Sequence, residues 1–159
     1  MSYQAVILTV SDSCAAGTRT DTSGPAIRAM LENAGFAVQA MQTVPDEEGQ
    51  ISAAIVHACD ILQADLVVTT GGTGLSPRDV TPEATLAVLD REIRAIPVAM
   101  WVEGLKSTPR AMLSRAVAGI RGHTLVLNVP GSEKAARENL SAVVATLDHA
   151  LRMLAGGGH

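Results

Sequence analysis

Residues 69–85 read TTGGTGLSPRDVTPEAT, and the run ADLVVT (64–69) leads straight into them. Leu66–Thr70, apolar throughout, implies a strand covered on both faces, as in a parallel sheet sandwiched by helices. Gly71, Gly72 and Gly74 follow within four residues, so the chain turns sharply and offers backbone N–H groups that no side chain crowds. Thr81-Pro82-Glu83 then opens a helix, with Thr81 expected as N-cap, Pro82 as first helical residue and Glu83 complementing the helix dipole.

The same alternation extends in both directions. Residues 3–10 form a β-prone run that stops at Ser11-Asp12-Ser13, and Ser23-Gly24-Pro25 opens a helix that Gly35 ends. Residues 36–44 read as a second strand closed by Pro45-Asp46. Residues 47–63 read as a helix with Ile51, Ile55, Cys59 and Leu62 on one face. Downstream, 97–106 and 110–115 suggest short helices, and 116–120 with 124–128 a hairpin turning at Arg121-Gly122-His123. Residues 132–154 carry a helical stripe of Leu140, Val143, Val144, Leu147, Leu151 and Leu154. The expected fold is an α/β three-layer α/β/α domain, its sheet mostly parallel with one antiparallel hairpin strand. Residues 1–155 should form a single domain and 156–159 a fraying tail.

Composition excludes several functions. The net charge of −4, the absence of a basic cluster and the presence of one Trp, one Tyr and one Phe argue against nucleic-acid binding. No apolar run approaches the roughly 18–20 residues of a membrane span. The N-terminus reads as a strand rather than a secretory leader, so the cytoplasm is the expected compartment. Cys14 and Cys59 form neither a CxxC pair nor a disulfide framework. Cys59, on the apolar stripe, should be core. His57, His123, His149 and His159 lack partners at zinc-ligand spacing, and there is no GxSxG elbow. Trp101 suits a core or a subunit interface.

Ligands of such sheets bind beyond the carboxyl ends of the strands. Four loops should gather there: SDSCAAGTRTDTSG, PDEE, GGTGLSPRDV and VPGSEK, with Arg19 and Arg78 as cations. Glycines, hydroxyls and helix N-termini suit a phosphate, although sharp turns alone would also explain two of the glycines. The loop lacks the Lys-Ser/Thr of a P-loop and the third glycine of GxGxxG. Asp46 and Asp79 each follow a strand, and Asp12 and Asp21 lie in the first loop. One or two carboxylates with substrate phosphates are a common Mg²⁺ arrangement. The alternatives are an N-cap role for Asp46 and a turn, Arg78-pairing or capping role for Asp79, the last weakened because Thr81 serves as cap.

These motifs, with SDS…G…DTSGP upstream, VPDE between and LSRAVAGIRGHTLVLNVPGS downstream, resemble the molybdopterin adenylyltransferase family of molybdenum-cofactor biosynthesis. The gephyrin domain of that type and the plant two-domain cofactor proteins look similar. The resemblance implies a three-layer α/β homotrimer that joins the terminal phosphate of molybdopterin to AMP from Mg-ATP and releases pyrophosphate. The adenylylated pterin would pass to a molybdate-insertion enzyme. The family's essential aspartates fall on Asp46 and Asp79, both also candidate Mg²⁺ ligands. Its nucleotide loop falls on Thr70, Gly71, Gly72, Thr73 and Gly74, with Ser76 nearby. Ser11, Asp12, Ser13, Asp21, Pro130, Gly131 and Ser132 border the implied substrate cleft. One departure is Ile93-Arg94-Ala95-Ile96-Pro97, where the family commonly has Pro-Gly after the acidic DRE, so the turn there should differ. An inert pterin-binding paralogue is disfavoured by the survival of both aspartates. A nucleotide pyrophosphatase relative usually carries a second acid where Arg78-Asp79 stands. A scaffold module has little support in so short a chain.

Overall fold

The computed structural model describes residues 2–157; Met1 and the last two positions of the expected tail, Gly158 and His159, lie outside the described residues. In chain order the elements are β1 (Gln4–Val10), α1 (Asp12–Ala15), α2 (Ser23–Asn33), β2 (Ala37–Val44), α3 (Glu48–Val56), β3 (Leu66–Thr70), α4 (Thr81–Leu86), β4 (Arg91–Glu92), α5 (Ala95–Leu105), β5 (Ala118–Arg121), β6 (Thr124–Val129) and α6 (Glu133–Leu154). A π-helical turn (His57–Ile61) prolongs α3, and a 3₁₀ turn (Pro109–Leu113) follows α5.

The strands form one sheet in the order β2-β1-β3-β6-β5-β4. β2, β1, β3 and β6 are parallel neighbours, while β5 runs antiparallel to both β6 and β4. One strand therefore opposes the rest, as expected from the hairpin. Side chains alternate across the sheet. Ile7, Val68, Leu125 and Leu127 pack with Ile27, Leu31, Leu140 and Leu147 of α2 and α6 on one face. Leu8, Val67 and Val126 pack with Ile51, Ile55 and Cys59 on the other. Because both faces are covered, β1, β3 and β6 are buried almost throughout, which is why they read as continuous apolar runs. Among the described residues no helix is long and apolar enough to cross a membrane.

Several local expectations change. The 47–63 helix is α-helical only to Val56; the Leu62 N–H then reaches back five residues to His57 O at 3.0 Å. That turn keeps Ala58 and Cys59 inside and leaves Ile61 exposed. Burial pushes the Cys59 thiol up to about 11, as befits a core residue. Thr81 is not the cap of α4. Val80 occupies that position, and the buried Thr81 hydroxyl instead donates to Gly71 O at 2.9 Å. The reason is energetic: the Gly71 carbonyl, turned inward by the glycine loop, is buried and would cost heavily without a donor. The segment expected as helix at 110–115 is the 3₁₀ turn, and α5 begins at Ala95 rather than Pro97. β4 and α1 were not foreseen. Ile93, inside the departing segment, pairs its N–H with Ala118 O at 2.8 Å and packs on the core.

Candidate functional site

The chain leaves β1 for β2 on one side and later returns to β3 on the other, so a crevice opens beyond their carboxyl ends. Gly71 (φ +103°) sits across this crevice with its N–H on Val129 O at 3.1 Å, and a Cβ there would collide with Val10 O. Gly72 (φ +69°) has no more room: its Cβ would strike Thr81 Oγ1 and lie 3.1 Å from Asp46 Oδ1. Both positions demand glycine by conformation and by space. A Cβ on Gly131 would come 3.2 Å from Gly71 Cα, so the Pro130-Gly131-Ser132 loop closes against the glycine loop. Thr70 Oγ1 fastens the two by donating to Pro130 O at 2.7 Å.

Asp46 and Asp12 form a reciprocal clasp. The Asp12 N–H donates to Asp46 Oδ2 at 2.9 Å, and the Asp46 N–H to Asp12 Oδ1 at 2.9 Å. Arg78 adds two bonds to Asp12, at 3.0 and 3.1 Å, and an ion pair to Glu47 at 3.0 Å. The Arg78 guanidinium, with help from the Asp46 N–H, holds the Asp12 carboxyl below the usual carboxylate range. Asp46 moves the other way: burial raises it, and repulsion from Asp12 and Asp79 adds to the rise. Asp79 Oδ2 accepts the Ser76 N–H at 2.9 Å, the turn role weighed for it. Among the described residues no donor reaches Asp46 Oδ1 or Asp79 Oδ1. Asp46 thus spends one oxygen on the main chain of the loop after β1, Asp79 spends one on its own loop, and each keeps the other open.

Two adjoining cavities meet at these residues. One, of about 330 Å³, is lined by Ser11, Asp21, Asp46, Thr70, Gly71 and Arg19 among others. The other, of about 600 Å³, runs from Thr73 and Gly74 past Pro130 to the groove between α5 and α6. Gly72, Asp79, Gly131 and Ser132 border both. Of the sequence-derived candidates, three line neither. Asp12 stands behind Asp46, Ser13 lies 3.2 Å from Ser11 Oγ, and Ser76 turns the loop toward Asp79. Asp21 borders the smaller cavity with both oxygens engaged, by Thr9 Oγ1 at 2.8 Å and the Gly24 N–H at 3.0 Å, so it ties β1 to the first turn of α2.

The far wall of the larger cavity, with Thr108, Arg110, Ser114, Lys134 and Asn139, was missed. So was Arg115, whose guanidinium contacts Gly74, Asp79 and Glu83. Only the Ser132 cap of α6, which accepts the Ala135 N–H at 3.2 Å, left a local trace of that wall.

Residues 6–149 match the family described as a probable molybdopterin-binding domain. The chain is 38% identical over 154 residues to the molybdopterin adenylyltransferase of Helicobacter pylori strain J99, covering 94% of this chain and 86% of that protein. It is 40% identical to the molybdenum cofactor synthesis protein cinnamon of Drosophila melanogaster over 93% of this chain, but spans only 25% of that protein's length. In structure it superimposes with a TM-score of 0.92 on the molybdopterin biosynthesis enzyme MoaB of Thermus thermophilus, at 49% identity and 97% coverage of both chains.

Proposed function

Since this chain belongs to the family of molybdopterin-binding domains of molybdenum-cofactor biosynthesis, we propose that it is a nucleotidyltransferase that adenylylates molybdopterin. A terminal phosphate oxygen of the pterin attacks the α-phosphorus of ATP. The new P–O bond forms as the bond to the β-phosphate oxygen breaks, and pyrophosphate leaves. The observation that carries this reading is the pair of half-engaged carboxylates beside a glycine loop, Asp46 lining the smaller cavity and Asp79 standing where the two cavities meet.

The attacking group is a phosphate monoester, already ionised at neutral pH, so the protein has no nucleophile to activate. Its work is to bring two polyanions together in line. In the loop from Thr70 to Gly74 the Gly71 N–H is held by Val129 O, and the N–H groups of Gly72, Thr73 and Gly74 are the donors for the nucleotide phosphates, with Ser76 holding the loop's far end. Ser11, Pro130, Gly131 and Ser132 bound the cleft around the reacting phosphates.

A divalent cation such as Mg²⁺ fits the donor set. Asp46 Oδ1 and Asp79 Oδ1 are hard oxygen ligands without protein partners among the described residues, and repulsion between these carboxylates is a charge excess that a cation relieves. Among the described residues no three His, Cys, Asp or Glu gather as a metal cage. Two carboxylates completed by phosphate oxygens and water are the usual protein share of an Mg²⁺ shell. Held by Asp46 and Asp79, such an ion would supply positive charge to offset that developing on the leaving pyrophosphate.

We further propose that the protein is a cytoplasmic homotrimer that hands its product to a molybdate-insertion enzyme. Val98, Val102 and Leu105, 45–57% exposed, form an apolar stripe along α5 that a second copy would cover. The function is tested with purified protein, molybdopterin and Mg-ATP, scoring adenylylated pterin and pyrophosphate. Pterin-dependent formation of both is expected. Pterin binding without product would leave an inert binding module, and ATP hydrolysis indifferent to pterin a pyrophosphatase.

A further inference from the structure

Arg115 lies outside the strand-end loops, in the stretch between the 3₁₀ turn and β5. Its three side-chain hydrogen bonds nevertheless go to the glycine loop, to its exit and to the helix that follows. Nε donates to Gly74 O at 2.8 Å, Nη2 to Asp79 O at 2.7 Å, and Nη1 to Glu83 Oε1 at 2.6 Å. Its own N–H donates to Thr73 O at 2.8 Å. One planar guanidinium therefore holds the residue where the loop leaves the phosphate-facing turn, the residue where it re-enters the body, and the first turn of the following helix. The fork geometry is specific to arginine: three donors in one plane at fixed angles.

The enclosed segment is tight. The Ser76 N–H binds Asp79 Oδ2 and the Asp79 N–H binds Ser76 O, each at 2.9 Å, and Gly74 passes so close that a Cβ would lie 2.9 Å from Asp79 Oδ2. With Oδ2 tied and the main chain clamped at both ends, the direction of the free Asp79 Oδ1 is fixed by the loop's shape. Leu75, Ser76, Pro77 and Arg78 are all exposed, so packing does not supply that rigidity. The neighbouring Ser114 lines the larger cavity, which links the clamp to the opposite wall of the cleft.

We propose that Arg115 is a positioning residue: it holds the Gly74–Asp79 loop so that the free Asp79 oxygen and the loop N–H groups meet the nucleotide together. This rests on the adenylyl-transfer reading, and it assigns Arg115 no contact with substrate.

The test compares wild type, Arg115→Lys and Arg115→Ala by hydrogen exchange of residues 73–80 without ligands, and by steady-state kinetics. Lysine keeps the charge but not the fork. The expected result is faster exchange confined to that loop in both variants and a kcat lowered by about a hundredfold, as displacement on the ångström scale produces. The Mg²⁺ concentration for half-maximal rate should rise while the KM for molybdopterin stays within twofold. Millimolar guanidinium should restore part of the Arg115→Ala rate, since the site is open to solvent. Unchanged exchange with unchanged kcat in Arg115→Lys would overturn the proposal. So would a drop in Tm with kinetic constants per folded molecule as in wild type, because the residue would then only stabilise the fold. Should wild type itself form no adenylylated pterin, the functional reading fails, while the exchange data still decide whether Arg115 holds the loop.

Discussion

Asp46 carries opposite demands. Burial and two neighbouring carboxylates raise its pKa, so its ionisation works against folding. That cost is absent below the ordinary carboxylate range, grows as pH rises from the unfolded to the folded value, and is complete above it. Asp12 has the reverse sign: its lowered pKa adds stability above the ordinary range that is lost as pH falls through the folded value. Asp46→Asn keeps an acceptor for the Asp12 N–H but removes the charge. The expected outcome in scanning calorimetry without divalent ions is a Tm at pH 7 higher by about 2 °C. The gain should shrink toward pH 4, and turnover should be lost. A Tm unchanged or lowered at pH 7 would show that Asp46 is not under electrostatic strain. Such a trade of stability for activity is common at functional sites.

At the scale of elements, buried polar side chains hold the strand ends that carry the loops. Asn128 at the end of β6 donates to Thr69 Oγ1 at 2.9 Å and to Thr85 Oγ1 at 3.1 Å, and accepts the Val117 N–H at 3.1 Å. It ties β6 to β3, to α4 and to the approach of β5. Asn128→Leu would strand the buried Thr69 hydroxyl and the Val117 amide, while the Thr85 hydroxyl keeps its bond to Thr81 O at 2.7 Å, and urea unfolding should give a loss of about 2–3 kcal/mol. Elements were legible wherever one local signal dominated. The apolar runs of β1, β3 and β6, the stripe of α6 and the hairpin fall in this class. β4 was not, because two exposed polar residues have no period to read. The π turn was hidden as well: one extra residue per turn leaves the apolar pattern of α3 almost intact. At Thr81 the capping rule lost to a buried carbonyl that only the folded loop creates.

The whole molecule explains what else the sequence withheld. Gly71, Gly72, Asp46 and Asp79 stand out locally, because each follows a strand whose end can be seen. Arg115 binds partners 32–41 residues away, and no local pattern announces that convergence. The wall formed by α5 and α6 is likewise a product of packing. The same α5 presents Val98, Val102 and Leu105 outward at helical spacing. Val102→Glu should convert the proposed trimer to monomer in size-exclusion chromatography with light scattering. A wild-type monomer, or a trimer indifferent to the change, would remove α5 from the interface.

If the open carboxylates beside the glycine loop carry the proposed chemistry, turnover should depend on Asp79. Asp79→Asn retains an oxygen for the Ser76 N–H and so should keep the loop and the fold. Adenylylated pterin would be measured from Mg-ATP and molybdopterin with wild type and Asp79→Asn, their folding matched by circular dichroism and Tm. A fall in kcat of about 10²–10³-fold is expected, the scale of losing one transition-state electrostatic contact, with molybdopterin still bound. A folded Asp79→Asn protein turning over within threefold of wild type would contradict it.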